Sequence, residues 1–450
     1  MKKTLIALSM ASFFACMQSI PAQAQILSVR DQARVIDENL ADRFSNLLPG
    51  MMEQTGIDMW IVISREYNED PVLKTMLPAE WLNARRRTIL VFYRNPQTKT
   101  IERLAVARYD FGSNIKAAWD TQKFPDQWDA LVDIVKQRNP QKIGVNTSQH
   151  FAHADGLDHT EYQELIQKLP ANFSSRVVSA EPLAIRWLET RTAREMQFYP
   201  QLINATHKII EEGFSEQVIT PGITTSEDVV WWFRQKIRDL GYDTWFHPTV
   251  DIQRVDPKTE GSERSFAIKP KADVIQPGDL IHVDIGTTYL RLNTDIQQHA
   301  YILKPGETSV PAAIQQAFVK ANRLQDILTM QFKEGKTGNQ VLAGALAQAK
   351  TENIQASIYS HPIGYHGHAA GPAIGMWDNQ ASVPGTGDQA LRKNTAYSIE
   401  LNASSMIPEW KKSIRIMLEE DAFFDGETVR YIDGRQKVIY PIPRPSNYNQ

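Results

Sequence analysis

The sequence predicts an α+β chain in two folded parts, an α/β domain over residues 25–185 followed by a mixed domain over residues 186–450. Three observations carry this. Short β-rich runs alternate with helical patterns between Ile57 and Val145. From Glu181 a connector enters a long stretch where Met196, Tyr199, Ile203 and Ile210 recur at helical spacing. Beyond Asp279 alternating strands return, broken by helical stretches near 309–331 and 337–350. A length of 450 residues suits two to three domains of ordinary size.

The N-terminus reads as an export signal over residues 1–24. Lys2 and Lys3 precede an apolar run from residue 4 to 16, and Ala22-Gln23-Ala24 forms a cleavage site before Gln25. The run is too short for a spanning helix, which needs about 20 residues. The alternatives are an N-terminal helix packed on the body, or a lipoprotein anchored through Cys16. Against the second, Phe13 stands where a lipobox wants Leu. Cleavage removes two Lys and no acid, taking the net charge from -3 to -5, and removes Cys16, the only cysteine. A cysteine-free mature chain suits an oxidising compartment, so the expected location is periplasmic or secreted. One cysteine also excludes a disulfide framework and a Cys-based zinc site. With Lys+Arg 49 against Asp+Glu 52 and no like-charge run, a nucleic-acid footprint is absent. No second long apolar segment is present, which excludes a polytopic membrane protein.

In the first domain the runs IDMWIVIS, RTILVFYR, RLAVARY and KIGVN are strands, with helical stretches near 34–55 and 126–138. His150, His153 and His159 crowd together with Asp155 and Asp158. Gly156 and the aspartates favour a polar loop leading into a helix, with a metal site as the alternative. Further on, Thr224 and Glu227 form a capping box, Val229, Trp232, Phe233 and Ile237 form an apolar stripe, and Gly241 ends the helix. Trp231 and Trp232 therefore read as helix residues and not as an aromatic binding platform.

The chemistry concentrates after residue 279. In DLIHVDIGTTYLRLNTDIQQHAYIL, Leu280, His282 and Asp284 share one strand face, and Asp295, Gln297 and His299 share a face beyond a turn. A hairpin centred between Tyr289 and Leu290 places Asp284 directly across from Asp295. Two like charges about 5 Å apart destabilise a sheet unless a cation lies between them. His361 and His368 stand seven apart in SHPIGYHGHAAGP, whose Pro and Gly suit a loop approaching a site. AYSIELNAS reads as one strand with Ser398, Glu400 and Asn402 on one face. RIMLEEDAFF reads as another, with Arg415, Met417, Glu419 and Asp421 on one face. Glu400 is a carboxylate inside an apolar strand, costly to bury unless paired or bound to metal.

This order resembles the pita-bread metallopeptidases: Asp, Asp eleven later, His within H-x-I-G-x-x-x-H, Glu in a strand, and Glu before an acidic-apolar strand. The group includes methionine aminopeptidase, prolidase, Xaa-Pro aminopeptidase and metal-free creatinase. The likeness covers residues 190–430 as a catalytic domain. The preceding α/β domain matches the two-domain prolidase and creatinase arrangement. The resemblance implies a dinuclear centre in which Asp284 binds one ion, Asp295 and Glu419 bridge, and His361 and Glu400 hold the other. Four carboxylates then balance two divalent cations. Manganese is the first expectation, with cobalt, zinc or iron as alternatives. The resemblance further implies Glu400 as general base, His368 as a hydrogen-bond donor to the substrate carbonyl, and a homodimer. The complete ligand set argues against a creatinase-like mechanism.

Departures from the family touch substrate recognition. The segment RSFAIKPKAD holds Phe266 and Ala267 and no histidine, where peptide-cleaving relatives carry one. His247 lies further upstream as a possible substitute. Ala369 and Ala370 follow His368 without the usual acid, Met417 replaces an Arg, and Leu401 and Asn402 follow Glu400. The expected function is a metal-dependent exopeptidase of Xaa-Pro type, dipeptidase or aminopeptidase, acting on short peptides. One alternative is a pita-bread enzyme for a small non-peptide amide, or a lyase. The other is a catalytically silent binding protein on the same fold.

Overall fold

The computed structural model describes residues 26–255 and 272–444. The export signal at residues 1–24, and Phe266 with Ala267, lie outside the described residues.

The first domain is built on a six-stranded mixed sheet. Its strands run in the spatial order Lys116–Ala117, Ile101–Ala105, Arg87–Arg94, Met59–Arg65, Ile143–Val145 and Val177–Ser179. The central pair, Met59–Arg65 against Arg87–Arg94, is antiparallel. Both strands are almost continuously apolar because both of their faces are covered. Trp60, Val62, Leu90 and Phe92 enter one core with the helix Glu181–Glu189. Met59, Ile61, Ile63, Ile89 and Val91 enter another with the helix Gln127–Arg138. Each such large apolar side chain contributes about 1.5–3 kcal/mol when fully buried. The helical stretch near 34–55 is two helices, Val29–Asn46 and Leu48–Thr55, the second with Pro49 in its first turn. His153 lies in a short 3-10 turn, and Asp158 caps the helix His159–Lys168 through Glu161 N.

The second domain begins with the helix Glu195–Gly213. In the next helix, Ser226–Asp239, the capping box is one residue later than the sequence suggested. Thr225 is the cap and pairs reciprocally with Asp228. Thr224 instead uses its hydroxyl to accept from Thr220 N.

Strands Leu280–Ile285 and Ile296–Ile302 form the expected hairpin in a sheet with Thr249–Gln253 and Tyr440–Ile442. Its register differs from expectation. The turn is centred on Leu290 and Arg291, both at positive φ (51° and 67°), so Asp284 faces Gln297 and Ile285 faces Ile296. The correction moves the partner of Asp284 by two residues. Parity is preserved, so Asp284 and Asp295 still share a face, diagonally instead of directly. Leu290 is buried, and Arg291 Nη1 donates to the carbonyl of Leu77 at 2.7 Å, so contacts with the core and the first domain hold this turn.

The two long strands expected around Glu400 and Glu419 are each broken. Thr395–Ser398 belongs to a sheet with His361–Ile363, Asp421–Phe424 and Val429–Tyr431. Leu401–Ile407 belongs to another, between Gln355–Ile358 and Lys412–Leu418. The chain thus passes between these two sheets at Ile399-Glu400 and back at Glu419-Glu420. The joints lie side by side, tied by Ile399 N donating to Glu420 O at 3.0 Å. At such joints the backbone leaves one ladder for the next, which turns the carboxylates away from either sheet face.

Candidate metal centre

Five of the residues singled out by their types and order converge. Asp284 stands near the end of its strand, Asp295 immediately before the returning strand, His361 at the start of its strand, and Glu400 and Glu419 at the two joints. Donor atoms of Asp284, Asp295 and Glu419 lie within 4.8 Å of one another, as do those of His361, Glu400 and Glu419. His361 Nε2 is 3.7 Å from Glu419 Oε1, 3.8 Å from Asp295 Oδ2 and 4.0 Å from Glu400 Oε2. Asp295, His361 and Glu419 are buried, while Glu400 is partly open to the cavity.

The electrostatics of these groups suit a cation. Burial, then the negative charges of Glu419, Asp284, Glu400 and Asp421, push the Asp295 carboxyl well above the usual range. Burial and then Asp284 push Glu419 up to about 8, although Ser398 and Gln297 hydrogen-bond to it. Burial, then His368, pushes His361 down to about 3, so its imidazole is neutral. Its Nδ1 lies 3.0 Å from the Pro362 carbonyl, which can only accept, so the proton sits on Nδ1 and the lone pair on Nε2. That lone pair faces three carboxylate oxygens, and neither His361 Nε2 nor Asp295 Oδ1 has a hydrogen-bond partner. Lone pairs converging on one point repel unless a cation occupies it. The donor set, one imidazole among carboxylates, fits a divalent transition ion, which Asp284, Asp295, His361, Glu400 and Glu419 would hold.

His368 also reaches the cluster. Its ring centroid is 4.8 Å from that of His361, and it forms a third metal-capable group with Asp295 and His361. The histidine-bearing loop is braced from the first domain. Arg43 reaches Glu195 at 3.1 Å, and Tyr365, between the two histidines, donates to Glu195 Oε1 at 2.8 Å. His153 packs against His366 with ring centroids 4.4 Å apart and the planes tilted by 46°. His247 is not brought here: it packs on Trp231 and Arg234 and lines a separate cavity of about 60 Å³.

Over the cluster lies a cavity of about 290 Å³ walled by Trp245, Phe246, Tyr359, Met376 and Trp377. Through Trp245 and His368 it adjoins a space of about 790 Å³ between the two domains, bordered by Lys74, Trp81 and His153. On the other side it adjoins a polar cavity of about 460 Å³ lined by Asn402 and Arg415. The aromatic walls were not identified as site residues from the sequence. Trp245 lies outside every strand, and its indole donates to Thr294 O at 2.8 Å, a contact no local pattern announces.

The linked sheets of the second domain, preceded by an α/β domain, with carboxylates and histidine gathered at strand ends, are the pita-bread architecture. Residues 201–421, which carry the cluster, match the model of Metallopeptidase family M24. Among solved structures it is similar to an X-Pro aminopeptidase from Thermotoga maritima MSB8, with a TM-score of 0.61 at 17% identity, over 89% of this chain and 100% of that one. It is similar to dipeptidase PepE from Mycobacterium ulcerans, with a TM-score of 0.59 at 18% identity, over 91% and 99%. An Xaa-Pro dipeptidase from Bacillus anthracis follows, with a TM-score of 0.55 at 16% identity, over 92% and 100%. These identities establish shared fold. No curated protein matches the sequence. Among the described residues no helix is long and apolar enough to cross a membrane.

Proposed function

We propose that the protein is a metal-dependent exopeptidase of Xaa-Pro type, a dipeptidase or aminopeptidase, using two divalent ions, manganese foremost. The observation that carries this is the convergence of the His361 lone pair with the Asp295, Glu400 and Glu419 oxygens beneath an aromatic-walled cavity. Divalent cations bound there supply Lewis-acid polarisation of a carbonyl and a lowered pKa for water. The chain's residues do the rest. Glu400, partly open to the cavity, accepts the proton of the attacking water and returns it to the departing amine. His368 donates a hydrogen bond to the carbonyl oxygen as negative charge builds there. Trp245, Tyr359 and Trp377 exclude bulk water and offer flat apolar surface to a prolyl ring. The Xaa-Pro assignment draws support from the similar solved proteins, an X-Pro aminopeptidase and an Xaa-Pro dipeptidase.

The test is a panel of Xaa-Pro dipeptides, Xaa-Pro-Xaa tripeptides, N-acetylated peptides and proline-free peptides, offered to manganese-loaded protein and read by mass spectrometry. Cleavage limited to Xaa-Pro bonds with a free amine supports the proposal. Silence across the panel by metal-loaded protein overturns it in favour of a small non-peptide amide. Export is part of the same proposal, and mature protein beginning at Gln25 is its expected form.

A further inference from the structure

The carboxylates of the cluster are gripped from behind by a polar chain that crosses three adjacent strands. Asp251, on Thr249–Gln253, is paired across the sheet with His282, and its Oδ2 lies 3.4 Å from His282 Nδ1. His282 Nε2 lies 2.9 Å from Gln297 Oε1. Gln297 Nε2 then donates to Glu400 Oε1 at 2.9 Å and to Glu419 Oε2 at 2.6 Å. His282 and Gln297 are buried, so these polar atoms are satisfied within the protein.

The direction of the bonds made by Gln297 follows from what each group can do. With a cation bound the glutamates are ionised and only accept, so the Gln297 amide turns its NH2 toward both and its oxygen toward His282. His282 must therefore donate from Nε2. The oxygens left over, Glu400 Oε2 and Glu419 Oε1, are the ones that lie 4.0 and 3.7 Å from His361 Nε2. One side-chain amide thus takes one oxygen from each glutamate and leaves the other facing the imidazole.

We propose that Asp251, His282 and Gln297 form a positioning relay that holds Glu400 and Glu419 as single-oxygen donors toward the His361 side of the metal centre. None of the three is a catalytic residue, and the inference rests on the metal-binding reading above. Without the amide, the two glutamates lose their common donor, Glu419 keeping the Ser398 hydroxyl on its other oxygen, and the number of oxygens each offers to a cation changes. Partners of metal ligands at this distance typically alter metal affinity about 10- to 100-fold.

The test measures manganese dissociation constants and the visible absorption of the cobalt-loaded protein for the wild type, Gln297→Met, His282→Phe and His282→Gln. Gln297→Met keeps the length of the side chain and removes the donor. The expected result is a 10- to 100-fold weaker manganese affinity and shifted cobalt bands for Gln297→Met and His282→Phe. His282→Gln retains a donor near the Nε2 position and should return both readouts toward wild type. If Gln297→Met does not fold, Gln297→Asn carries the same expectation, because its amide is one methylene short of both glutamates. A merely structural role would lower the melting temperature and leave affinity and bands of the folded protein unchanged, and that outcome overturns the relay. Failure of the wild type itself to bind manganese or cobalt at millimolar concentration overturns the relay together with the metal reading. Normal wild-type binding with unaffected variants overturns the relay alone.

Discussion

His361 Nε2 sits 3.7 Å from Glu419 Oε1, beyond a hydrogen bond but close enough for both atoms to ligate one cation. The backbone carbonyl of Pro362 holds the imidazole proton on the opposite nitrogen, 3.0 Å away. The pair therefore presents two lone pairs to one point, and that geometry carries consequences for stability as well as catalysis.

Chelation should destabilise the wild type, because the buried carboxylates then repel without compensation. An ion present at about a hundred times its dissociation constant stabilises by about 3 kcal/mol. Asp295→Asn removes a carboxylate that a bound cation would use, from a cluster whose burial and crowding push that carboxyl well up. Its melting temperature should not respond to chelator, and should equal or exceed that of chelated wild type. Calorimetry with and without chelator checks this, and a chelator-sensitive Asp295→Asn would contradict the assignment of Asp295 as a ligand.

Glu400→Gln should fold normally and lose turnover by about 100-fold or more, the usual contribution of a general base. Steady-state rates alongside circular dichroism decide it. Near-normal turnover would remove Glu400 as the proton acceptor.

For His368→Gln the expected loss is about 100- to 1000-fold in rate, with metal content unchanged. Metal analysis is informative because His368 also lies within ligand reach of Asp295 and His361. Loss of metal in place of rate would make His368 a ligand and not a donor to the substrate.

A pH effect arises away from the metal. Glu189 is buried at the end of the helix Glu181–Glu189, with Oε1 3.7 Å from Arg392 Nε, and burial pushes its carboxyl up to about 7 from an ordinary 4.5. The folded state therefore keeps a proton, between pH 4.5 and 7, that the unfolded chain releases. Stability from this group is greatest below pH 4.5 and falls as pH rises to about 7, by about 3 kcal/mol at most. Glu189→Gln should gain on wild type between pH 5 and 8 in denaturant titrations. Parallel pH dependences for the two proteins would contradict this.

How far the sequence reached is clearest at the hairpin. Alternation places Asp284 and Asp295 on a common face, and the structure keeps them there. The turn itself was illegible, because Leu290 and Arg291 are not the Asn or Gly that positive φ favours. Their conformation depends on burial and on carbonyls of the first domain, which no local pattern encodes. The breaks at Glu400 and Glu419 were hidden for a related reason. Alternation shows which residues share a face and is blind to a strand that changes sheets between them. Gln297 was visible on the face of Asp295, yet its role depends on His282 and Glu419, which reach it only through cross-strand pairing and the bridge between Gln297 and Glu419. The five ligand candidates were readable because residue type and order survive those rearrangements. His247 was not, since its distance from the cluster is set by packing on Trp231 and Arg234.

The most direct test of the account is a crystal of the manganese-loaded protein, with anomalous scattering recorded at the manganese edge. The account predicts a peak enclosed by His361 Nε2 and the facing oxygens of Asp295, Glu400 and Glu419, with a second between Asp284, Asp295 and Glu419. No anomalous density within this cluster, in protein that carries manganese elsewhere or not at all, would contradict it.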